Sequence, residues 1–382
     1  MSALEASAEG GRDPRESQRE CSSEIRRAVG KGLRFEQLHA ASRGMPYSPI
    51  YHIARIYYPL LAAVDILVNL TAIVILSRGK CGLSKCITRY LVAMAAADLM
   101  VVIIVIIVQQ MNNIYMFAPV LQITPVCALI IVFRYASMDC SVWFTVAFTF
   151  DRYVAICCQN LWRKYCTERV AAVVLMTVGV ACSVRCIPFY FLLSPQLIID
   201  NVPWYCVPIP EYYTLAICKA FELFDTIVTP ILPICFILLF NGLTAKHIIA
   251  ANRVRSGLRI KGENQQDSEM ENRRKSMILL FALSINFVIL WMPYVIHSMN
   301  WQLVNSTYRD KYFNTPIFIS QQCGWMLQFF STCTNTCIYG LTQRKFRDEL
   351  KNGVKLLIQI DRLFCKYQKR CEVKHFEFAK DR

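Results

Sequence analysis

Apolar residues are gathered along this chain into long blocks that polar stretches separate. Each block is about 20 residues long, which is the length that an α-helix needs to cross the hydrocarbon core of a bilayer. Several blocks, such as VVIIVIIV at 101–108, lack the polar face that helices of a soluble all-helical protein carry. The pattern therefore predicts an all-α membrane protein, a bundle of seven transmembrane helices near residues 56–77, 89–110, 125–150, 169–193, 217–241, 277–299 and 317–341.

The segments outside these blocks divide the chain into three parts. Residues 1–50 are charged and rich in Ser, Gly and Ala, which predicts a disordered tail; they lack the apolar core of a cleavable signal peptide, so we expect the first helix to direct insertion. Residues 51–342 form the transmembrane domain, and 343–382 form a basic tail. Within the domain, the polar residues 252–272 predict a disordered loop.

The composition and the placement of charge agree with this division. The 382 residues are 55% hydrophobic with a net charge of +15. Lys and Arg cluster after the first and third blocks, between the fifth and sixth, and in the tail, whereas 111–124 and 194–213 contain none. This asymmetry predicts an extracellular N-terminus and a cytoplasmic C-terminus in the plasma membrane. We expect the basic face to meet anionic inner-leaflet lipid and a cytoplasmic partner, not nucleic acid.

Few of the 18 cysteines are placed for oxidation. Most lie within the membrane blocks or on the basic side, where thiols stay reduced. Cys127, at the outer start of the third helix, and Cys206, in the following outer loop, are the best-placed pair, and a bridge between them would pin that loop across the bundle. Asn305 begins a sequon in the last outer loop and is a candidate glycosylation site.

The tail opens with an amphipathic pattern. Phe346, Leu350, Val354 and Leu357 recur at helical spacing among basic residues, which predicts a short cytoplasmic helix lying on the membrane surface. A cysteine beyond it, Cys365 or Cys371, would be either a palmitoylation site or an ordinary thiol.

Polar residues also occur inside the apolar blocks at matched depth. Asn69, Asp98 and Asn335 each lie nine residues from a basic residue at the inner interface, about 13 Å along a helix, and Ser141 lies eleven from Arg152, about 16 Å. Unpaired polar groups are costly in a bilayer, so these side chains are expected to share one layer. They would either only hydrogen-bond to each other or also hold a small cation, sodium, on Asp98.

Prolines interrupt three of the predicted helices. Pro188, Pro230, Pro233 and Pro293 fall in the fourth, fifth and sixth blocks. Each removes a backbone hydrogen bond and allows a kink. Kinked helices around a polar layer suit a bundle with two arrangements.

Several motifs together resemble class A, rhodopsin-like G-protein-coupled receptors. The resemblance covers roughly residues 50–355 and lies in Asn69, AAADL around Asp98, Cys127 followed by DRY at 151–153, FVILWMP at 287–293 and NTCIY at 335–339. DRY alone is a weak signal. Its combination with the upstream cysteine and the Trp-Pro pair makes the resemblance specific.

The resemblance implies a role for each matched residue. Asp151 would hold Arg152 at the cytoplasmic mouth until the sixth helix swings outward, and Tyr153, Asn335, Tyr339 and Pro293 would belong to the same switch. Trp291 and Phe287 would report ligand binding from the pocket floor. Asp98, Ser141 and Asn335 would form an allosteric sodium site, with no other cofactor required. The implied partners are a heterotrimeric G protein, arrestin and receptor kinases.

The chain departs from the family pattern at several positions. Thr336 stands where the family usually has proline in the seventh helix, Asn241 where the fifth has tyrosine, and Gln159 where proline follows DRY. The sixth helix begins with Arg273 and Arg274, without the usual acid to restrain Arg152. The pattern is similar to the small orphan subgroup that responds to aromatic amino acids, which suggests the Gq class of G protein.

Charged residues in the outer half of the bundle suggest a ligand pocket. Arg134 lies about 27 Å above Arg152 on the third helix, whereas Glu222 and Asp225 lie three residues apart on the fifth. A zwitterionic amino acid or short peptide could bind with its carboxylate on Arg134 and its ammonium on Glu222 or Asp225. Alternatively, Arg134 and Glu222 would pair with each other. The remaining lining residues would be Gln109, Phe221, Phe224, Trp291, His297, Trp325 and Gln328.

Other functions were weighed against a ligand-activated receptor. A seven-helix transporter would favour inverted repeats or paired discontinuous helices, and neither is evident in the sequence. No nucleophile–base pair suggests an enzyme. A constitutively active receptor, or one that acts as a heteromer partner without its own ligand, would suit the missing acid. Asp65, Asp139 and Arg185 are further intramembrane charges with no predicted role.

Overall fold

The computed structural model describes residues 49–116, 118–199, 201–258, 267–304, 316–353, 355 and 359. Long helices make up most of these ranges, and we number them α1 to α7. They are α1 (Pro49–Ser77), α2 (Lys85–Val101, continued by a π-helical stretch, Val102–Met116), α3 (Thr124–Cys157), α4 (Glu168–Cys186), α5 (Ala216–Thr226, a π turn Ile227–Ile231 and Leu232–Leu258), α6 (Asp267–Val304) and α7 (Pro316–Thr342).

Short elements connect the long helices. Helical turns occupy Pro119–Gln122, Gln159–Tyr165, Pro188–Phe191 and Pro210–Tyr213, and residues 344–353 form a helix after α7. The connection between α4 and α5 contains strands β1 (Leu193–Ser194), β2 (Leu197–Ile199), β3 (Val202–Trp204) and β4 (Val207–Pro208). β2 pairs with β3 and β1 with β4, both antiparallel, so this connection folds back on itself as a two-tiered hairpin.

Six helices of the described part of the chain, α1 to α6, are long and apolar enough to cross a membrane. The seventh helix, α7, is 27 residues long and packs against α1, α2 and α6, which completes the bundle. Large apolar side chains such as Leu67, Val173 and Met176 are exposed on the outside of the bundle. This distribution is what a lipid-facing surface requires. The predicted seven-helix bundle is confirmed.

Local sequence explains where the helices begin. The Ser84 hydroxyl accepts a hydrogen bond from the backbone N–H of Ile87 at 3.3 Å and caps α2, and Thr167 caps α4 in the same way through Val170. Such caps satisfy backbone donors that have no partner in the first turn. Between α1 and α2 the chain turns at Gly79 and Gly82, which adopt φ values of +68° and +69° that favour glycine.

The interior contains two main apolar clusters. The outer cluster includes Tyr58, Val142, Ile237, Trp291 and Phe329 from five helices. The inner cluster includes Leu76, Leu91, Phe148, Leu280 and Tyr339. Between them lies a band of buried polar side chains, so the depth predicted for that layer from residue spacing matches the tertiary structure.

Three boundaries differ from the sequence-based prediction. The 111–124 connection was expected to begin at 111, but α2 continues as a π-helix to Met116. Residues 252–272 were expected to be disordered, but 252–258 continue α5 and 267–272 begin α6; 259–266 lie outside the described residues. The all-α prediction also missed the strands of the 194–213 connection. For the helices, the apolar pattern marked only the membrane-crossing part, and the backbone hydrogen bonding continues beyond it. The strands are only two or three residues long, too short for a pattern of apolar positions to mark them.

The predicted proline breaks occur in three different forms. Pro188 begins the short helix after α4. Pro230 lies in the π turn of α5, and Pro293 lies within the continuous helix α6. Beside Pro293, α7 approaches closely at Gly324, where an added Cβ would lie 3.1 Å from the Cα of Tyr294. An added Cβ would therefore force the two backbones apart by a few tenths of an ångström, and glycine permits the close approach.

Candidate functional site

The buried Asp98 carboxylate organises the middle of the bundle. It accepts hydrogen bonds from the Ser141 hydroxyl on α3 and, at 2.9 Å, from the Asn335 amide on α7. The three side chains that were predicted to surround a sodium ion are thus brought together. Carboxylate, hydroxyl and amide oxygens are ligands that suit a hard cation, so the donor set fits sodium.

A second polar group lies beside it, around Asp65. The Asp65 carboxylate accepts hydrogen bonds from the Asn69 amide and the Thr332 hydroxyl. Asn69 also donates to the Thr332 carbonyl at 3.3 Å and accepts from Thr336 at 3.4 Å. Asn69 was expected to share one network with Asp98, but its hydrogen bonds lie within this neighbouring group. Thr336, which replaces the usual proline, contributes a hydroxyl to it.

The inner end of α3 carries the Asp151–Arg152 pair. Both side chains are buried, and the Arg152 Nε donates to Asp151 at 3.0 Å in a salt bridge. The Cys86 thiol donates to the other carboxylate oxygen at 3.2 Å, and the guanidinium lies over the Phe148 ring. Arg152 is therefore held along its own helix by the adjacent acid, in the arrangement expected of a restrained switch.

Aromatic rings connect this end of α3 with its neighbours. Tyr153 stacks on Phe240 of α5, with ring centroids 5.6 Å apart. On the other side, the buried Tyr339 ring meets Phe346 of the tail helix edge-on at 6.2 Å. These contacts couple the predicted switch residues Tyr153 and Tyr339 to α5 and to the tail.

Deeper in the bundle, Trp291 and Phe287 of α6 contact each other at 5.1 Å. The buried Trp291 indole donates to the Ser331 hydroxyl of α7 at 3.2 Å. The pair therefore lies between the polar layer and the outer half of the bundle. The Trp291–Ser331 hydrogen bond joins α6 to α7 at this depth.

The outer end is closed by the predicted disulfide. Cys127 at the start of α3 is bonded to Cys206 between β3 and β4, with their Cα atoms 5.9 Å apart. Next to it, the Thr124 hydroxyl donates to the Tyr205 carbonyl at 2.7 Å. The hairpin connection is thereby tied to the outer end of α3.

Below the hairpin, Arg134 projects from α3 among polar and aromatic side chains. Its guanidinium donates to the Gln109 side-chain oxygen at 3.2 Å and lies 5.2 Å from the Trp325 ring centroid and 5.9 Å from that of Tyr135. Within the described residues, no acidic oxygen lies within salt-bridge distance of it. The alternative in which Arg134 pairs with Glu222 is therefore not the arrangement observed.

Asp225 was predicted to bind a ligand, but Arg185 of α4 already engages it. The Arg185 guanidinium donates to Asp225 at 2.7 Å, to Asp139 at 3.0 Å and to the Thr229 hydroxyl at 2.9 Å. Thr229 in turn donates to Asp139 at 2.7 Å. We call Asp139, Arg185, Asp225 and Thr229 the ionic cluster; it joins α3, α4 and α5 at the π turn. Asp225 is therefore engaged by Arg185, which it shares with Asp139.

The other predicted pocket residues lie on three helices around this region. Tyr294 of α6 packs edge-on against Trp291, with ring centroids 6.3 Å apart. His297 contacts the Ser320 hydroxyl at 3.0 Å, and Gln328 is buried on α7. Phe221 packs against Phe189, whereas Phe224 is half exposed at the surface.

A sequence profile decides the family. The profile of the 7 transmembrane receptor (rhodopsin family) matches residues 68–339, more than half of the chain. The chain belongs to the rhodopsin family of seven-transmembrane receptors. The match includes the polar layer, the DRY triplet and the disulfide, so the family assignment agrees with the residues that carried the resemblance.

Curated relatives of the receptor include thyrotropin-releasing hormone receptors. That of Gallus gallus is 27% identical over 284 residues, which is 68% of this chain and 67% of the relative. That of Homo sapiens is 26% identical over 283 residues with the same coverage, and that of Bos taurus is 25% identical over 288. The receptor is therefore similar to hormone receptors over its membrane domain.

Two features of the receptor were missed by sequence reasoning. The ionic cluster could have been suspected, because Asp139, Arg185 and Asp225 are charges at one depth on three helices. The sequence did not show, however, which of these helices are neighbours. Asp65 lies one helical turn before Asn69, which placed the two on one face. Residue spacing showed that each of these polar side chains would be buried in the membrane at a cost in free energy. Only the packing of the helices showed which partner each side chain has.

Two predicted sites of the receptor lie outside the described residues. They are the candidate glycosylation site Asn305 and the candidate palmitoylation sites Cys365 and Cys371. The first turns of the tail helix are described: Phe346 is buried, and Leu350 is at the surface. Arg347 donates to the carbonyls of Gly340 and Leu341, at 3.0 and 2.8 Å, and caps the end of α7.

Proposed function

We propose that this receptor binds a small extracellular ligand that carries a carboxylate, an amino acid or a short peptide, and activates a heterotrimeric G protein. The observation that carries the proposal is Arg134. It is a half-buried cation whose hydrogen bond goes to a neutral amide, Gln109, and whose flat faces meet aromatic rings. A guanidinium in such a site is suited to a planar anion, which it binds with two parallel hydrogen bonds.

The second half of the ligand would bind towards α5. Glu222 lies in the outer half of that helix, three residues before Asp225. A ligand ammonium would be placed near the Glu222 carboxylate, with aromatic surface from Trp325 and Trp291 between the two ends. The curated relatives are receptors for thyrotropin-releasing hormone, which supports an extracellular messenger as the class of ligand. An aromatic amino acid stays a prediction from the subgroup resemblance.

Signal output would occur at the opposite end. Ligand displacement of Trp291 would move α6, and Arg152 would leave Asp151 to contact the G protein. We propose the Gq class, with arrestin and receptor kinases acting on the same face. We place the receptor in the plasma membrane with an extracellular N-terminus, because the disulfide and the basic residues lie at opposite ends. Epitope tags at the two termini, stained in intact cells, test this orientation.

The ligand proposal is tested with matched pairs of ligands. Amino acids and short peptides would be applied as free acids and as amides to cells that express the receptor, with inositol phosphate release as the readout. Arg134→Gln should shift the response to the acids by about 10- to 100-fold, the value of a charge-assisted hydrogen bond, and should abolish the preference for acid over amide. Glu222→Gln should reduce the response to ligands with a free amine.

Arg55 provides the control for this experiment. It is an exposed arginine at the outer end of α1 that lies over the Tyr115 ring and differs in its contacts from Arg134, which meets Gln109, Tyr135 and Trp325. Arg55→Gln should leave potency unchanged at equal surface expression. Equal responses of wild type and Arg134→Gln to every acid ligand would overturn the carboxylate proposal. A separate variant tests the output: Arg152→Ala should abolish signalling and leave ligand binding intact.

We also propose that sodium binds at Asp98 and favours the inactive arrangement. The carboxylate and the surrounding Ser141 and Asn335 oxygens would hold the ion. Ligand affinity measured in sodium chloride should be lower than in choline chloride, and Asp98→Asn should remove the difference. A sodium effect of the same size in Asp98→Asn would contradict this site.

Basal activity is the second candidate function. Among the described residues, Asp151 is the acid that forms a salt bridge with Arg152. A receptor with a single restraint would signal without ligand. Inositol phosphate release that rises with receptor number in amino-acid-free medium would favour this function, and no such rise would leave the ligand-activated receptor.

A further inference from the structure

Asp65 is a second buried acid in the middle of the bundle, with no solvent exposure. Its hydrogen-bond partners are neutral: the Asn69 amide on its own helix and the Thr332 hydroxyl on α7. Within the described part of the chain, no basic side chain forms a salt bridge with it. An ionised carboxylate without a counter-charge is costly inside a bilayer, so the charge of Asp65 must be balanced or removed.

The Thr332 hydroxyl has two oxygen neighbours but only one hydrogen. It lies within hydrogen-bond distance of the Asp65 Oδ2 atom and 2.6 Å from the carbonyl oxygen of Phe329. A carbonyl oxygen and an ionised carboxylate can only accept hydrogen bonds. If Asp65 were ionised, one of these two oxygen pairs would therefore have no hydrogen between its members. A proton on Asp65 resolves the conflict, because Asp65 then donates to Thr332 and Thr332 donates to Phe329.

The Asn69 amide decides which oxygen of Asp65 carries the proton. Its nitrogen donates to Asp65 Oδ1 and, at 3.3 Å, to the backbone carbonyl of Thr332. Because that carbonyl only accepts, the amide nitrogen and not its oxygen must lie on this side. The amide oxygen in turn accepts from the Thr336 hydroxyl at 3.4 Å. Oδ1 of Asp65 is consequently an acceptor, and Oδ2 is left as the atom that holds the proton.

Other buried acids of the bundle do not have this conflict. The Ser141 hydroxyl donates to Asp98, whose other oxygen accepts from an amide. The Thr229 hydroxyl donates to Asp139 at 2.7 Å and accepts from Arg185 at 2.9 Å. In both cases a single hydroxyl hydrogen is enough for an ionised carboxylate. The hydrogen-bond pattern therefore separates Asp98 and Asp139, which fit as carboxylates, from Asp65, which fits as an acid.

We propose that Asp65 is a proton-binding site and that the receptor carries a hydrogen ion there, as a neutral carboxylic acid, at neutral pH. The proton comes from water and is held on Oδ2, and no other bond is formed or broken. The Asp65–Thr332–Phe329 chain of hydrogen bonds then joins α1 to α7. This site does not depend on the ligand proposed at Arg134.

The groups around Asp65 favour the neutral form. α1 packs against α2 and α7. The titratable groups that act on Asp65 are Asp98 of α2, Cys333 of α7 and Tyr57 of its own helix, and none of them is a cation. With Asp65 neutral, Asp98 is the one negative charge of this pair, which a single monovalent cation balances. Loss of the proton would add a second negative charge and remove the donor to Thr332.

The direct test is infrared difference spectroscopy of the purified full-length receptor in nanodiscs at neutral pH. A protonated carboxylic acid has a carbonyl stretching band that an ionised carboxylate lacks. Asp65→Asn should remove one such band, whereas Asp98→Asn should remove a carboxylate band and no acid band. Asparagine keeps the shape of the side chain, and its amide can donate to Thr332 as the acid does. Loss of a carboxylate band in Asp65→Asn, with every acid band retained, would overturn the proposal.

A second variant tests the direction of the hydrogen bond. Thr332→Val removes the acceptor of the Asp65 proton and should shift the acid band to higher wavenumber, a change that misfolding does not mimic. Thr334→Val is the matched control, because the Thr334 hydroxyl donates to the Ser331 carbonyl at 2.8 Å and accepts from Asn286. This control should leave the band in place. An acid band at the same position in wild type and Thr332→Val would overturn the assigned donor.

Thermal unfolding provides an independent measurement. Asp65→Asn should unfold within about 2 °C of wild type and keep the rise in Tm that sodium chloride gives over choline chloride; Asp98→Asn should lose that rise. As pH increases, the Tm of wild type should fall more than that of Asp65→Asn, because folded wild type holds a proton that the unfolded chain releases. Parallel pH profiles would overturn the proposal. A wild type without a sodium effect would contradict only the sodium site, because the infrared result does not require sodium.

Discussion

The ionic cluster makes a quantitative prediction about stability. Arg185→Gln removes the one cation of the cluster and leaves Asp139 and Asp225 facing each other with little exposure; their side chains are 1% and 14% exposed. Arg185 also donates to Thr229, so the substitution breaks contacts with α3 and α5 together. We expect it to be among the most destabilising single changes in the bundle.

The magnitude follows from the geometry. Opposite unit charges at 2.7 Å, the Arg185–Asp225 distance, attract each other by about 6 kcal/mol at an effective dielectric constant of about 20. Desolvation of the ions offsets most of this attraction in the intact cluster. Removing one partner leaves that cost uncompensated, and such changes typically destabilise by about 3–5 kcal/mol. This loss corresponds to a decrease in Tm on the order of 5–10 °C.

The assay is thermal unfolding of purified receptor in nanodiscs, together with surface expression. The critical comparison is a neutral triple variant, Asp139→Asn, Arg185→Gln and Asp225→Asn, which removes every charge of the cluster and has the same loss of side-chain volume at position 185 as the single variant. It should unfold near the wild-type temperature, because neutral replacements of buried ion pairs are often tolerated. Asp225→Asn alone should be milder than Arg185→Gln, since Arg185 retains Asp139. A wild-type Tm for Arg185→Gln, or a triple variant as unstable as the single, would refute the reasoning.

Three further predictions concern other contacts. Gly324→Ala should destabilise the bundle by about 1–3 kcal/mol through overpacking against Tyr294, lowering Tm; an unchanged Tm would contradict the close approach. Cys127→Ser should destabilise the receptor by about 2–5 kcal/mol and lower its surface expression. Cys206→Ser should have the same effect, because each substitution removes the same disulfide; different effects of the two substitutions would argue against this bridge. Phe346→Ala should release the tail helix, costing about 3 kcal/mol, and increase proteolysis after α7 while leaving the outer half intact; unchanged cleavage would count against the anchor.

The number and depth of the helices were determined by the sequence alone. Long apolar blocks, polar residues at regular depth and the asymmetric placement of basic residues are local properties, and bilayer thickness converts them directly into spans. The pairing of Cys127 with Cys206 could also be predicted, since few other cysteines lie on the outer side. The polar layer around Asp98 was predictable for a related reason: its members share one distance from the inner interface.

Only the tertiary structure decided which charged residue meets which. The depth of a buried charge in the membrane limits which residues can be its partners, but it does not show towards which neighbouring helix the side chain points. Asp225 was therefore equally compatible with a ligand and with Arg185. The rotation of α4 places Arg185 between α3 and α5, where it engages Asp225. Among the described residues, Arg134 has no acid within salt-bridge distance. In the same way, residue spacing predicted the tail helix but not its place; it meets the bundle where Phe346 packs against Tyr339.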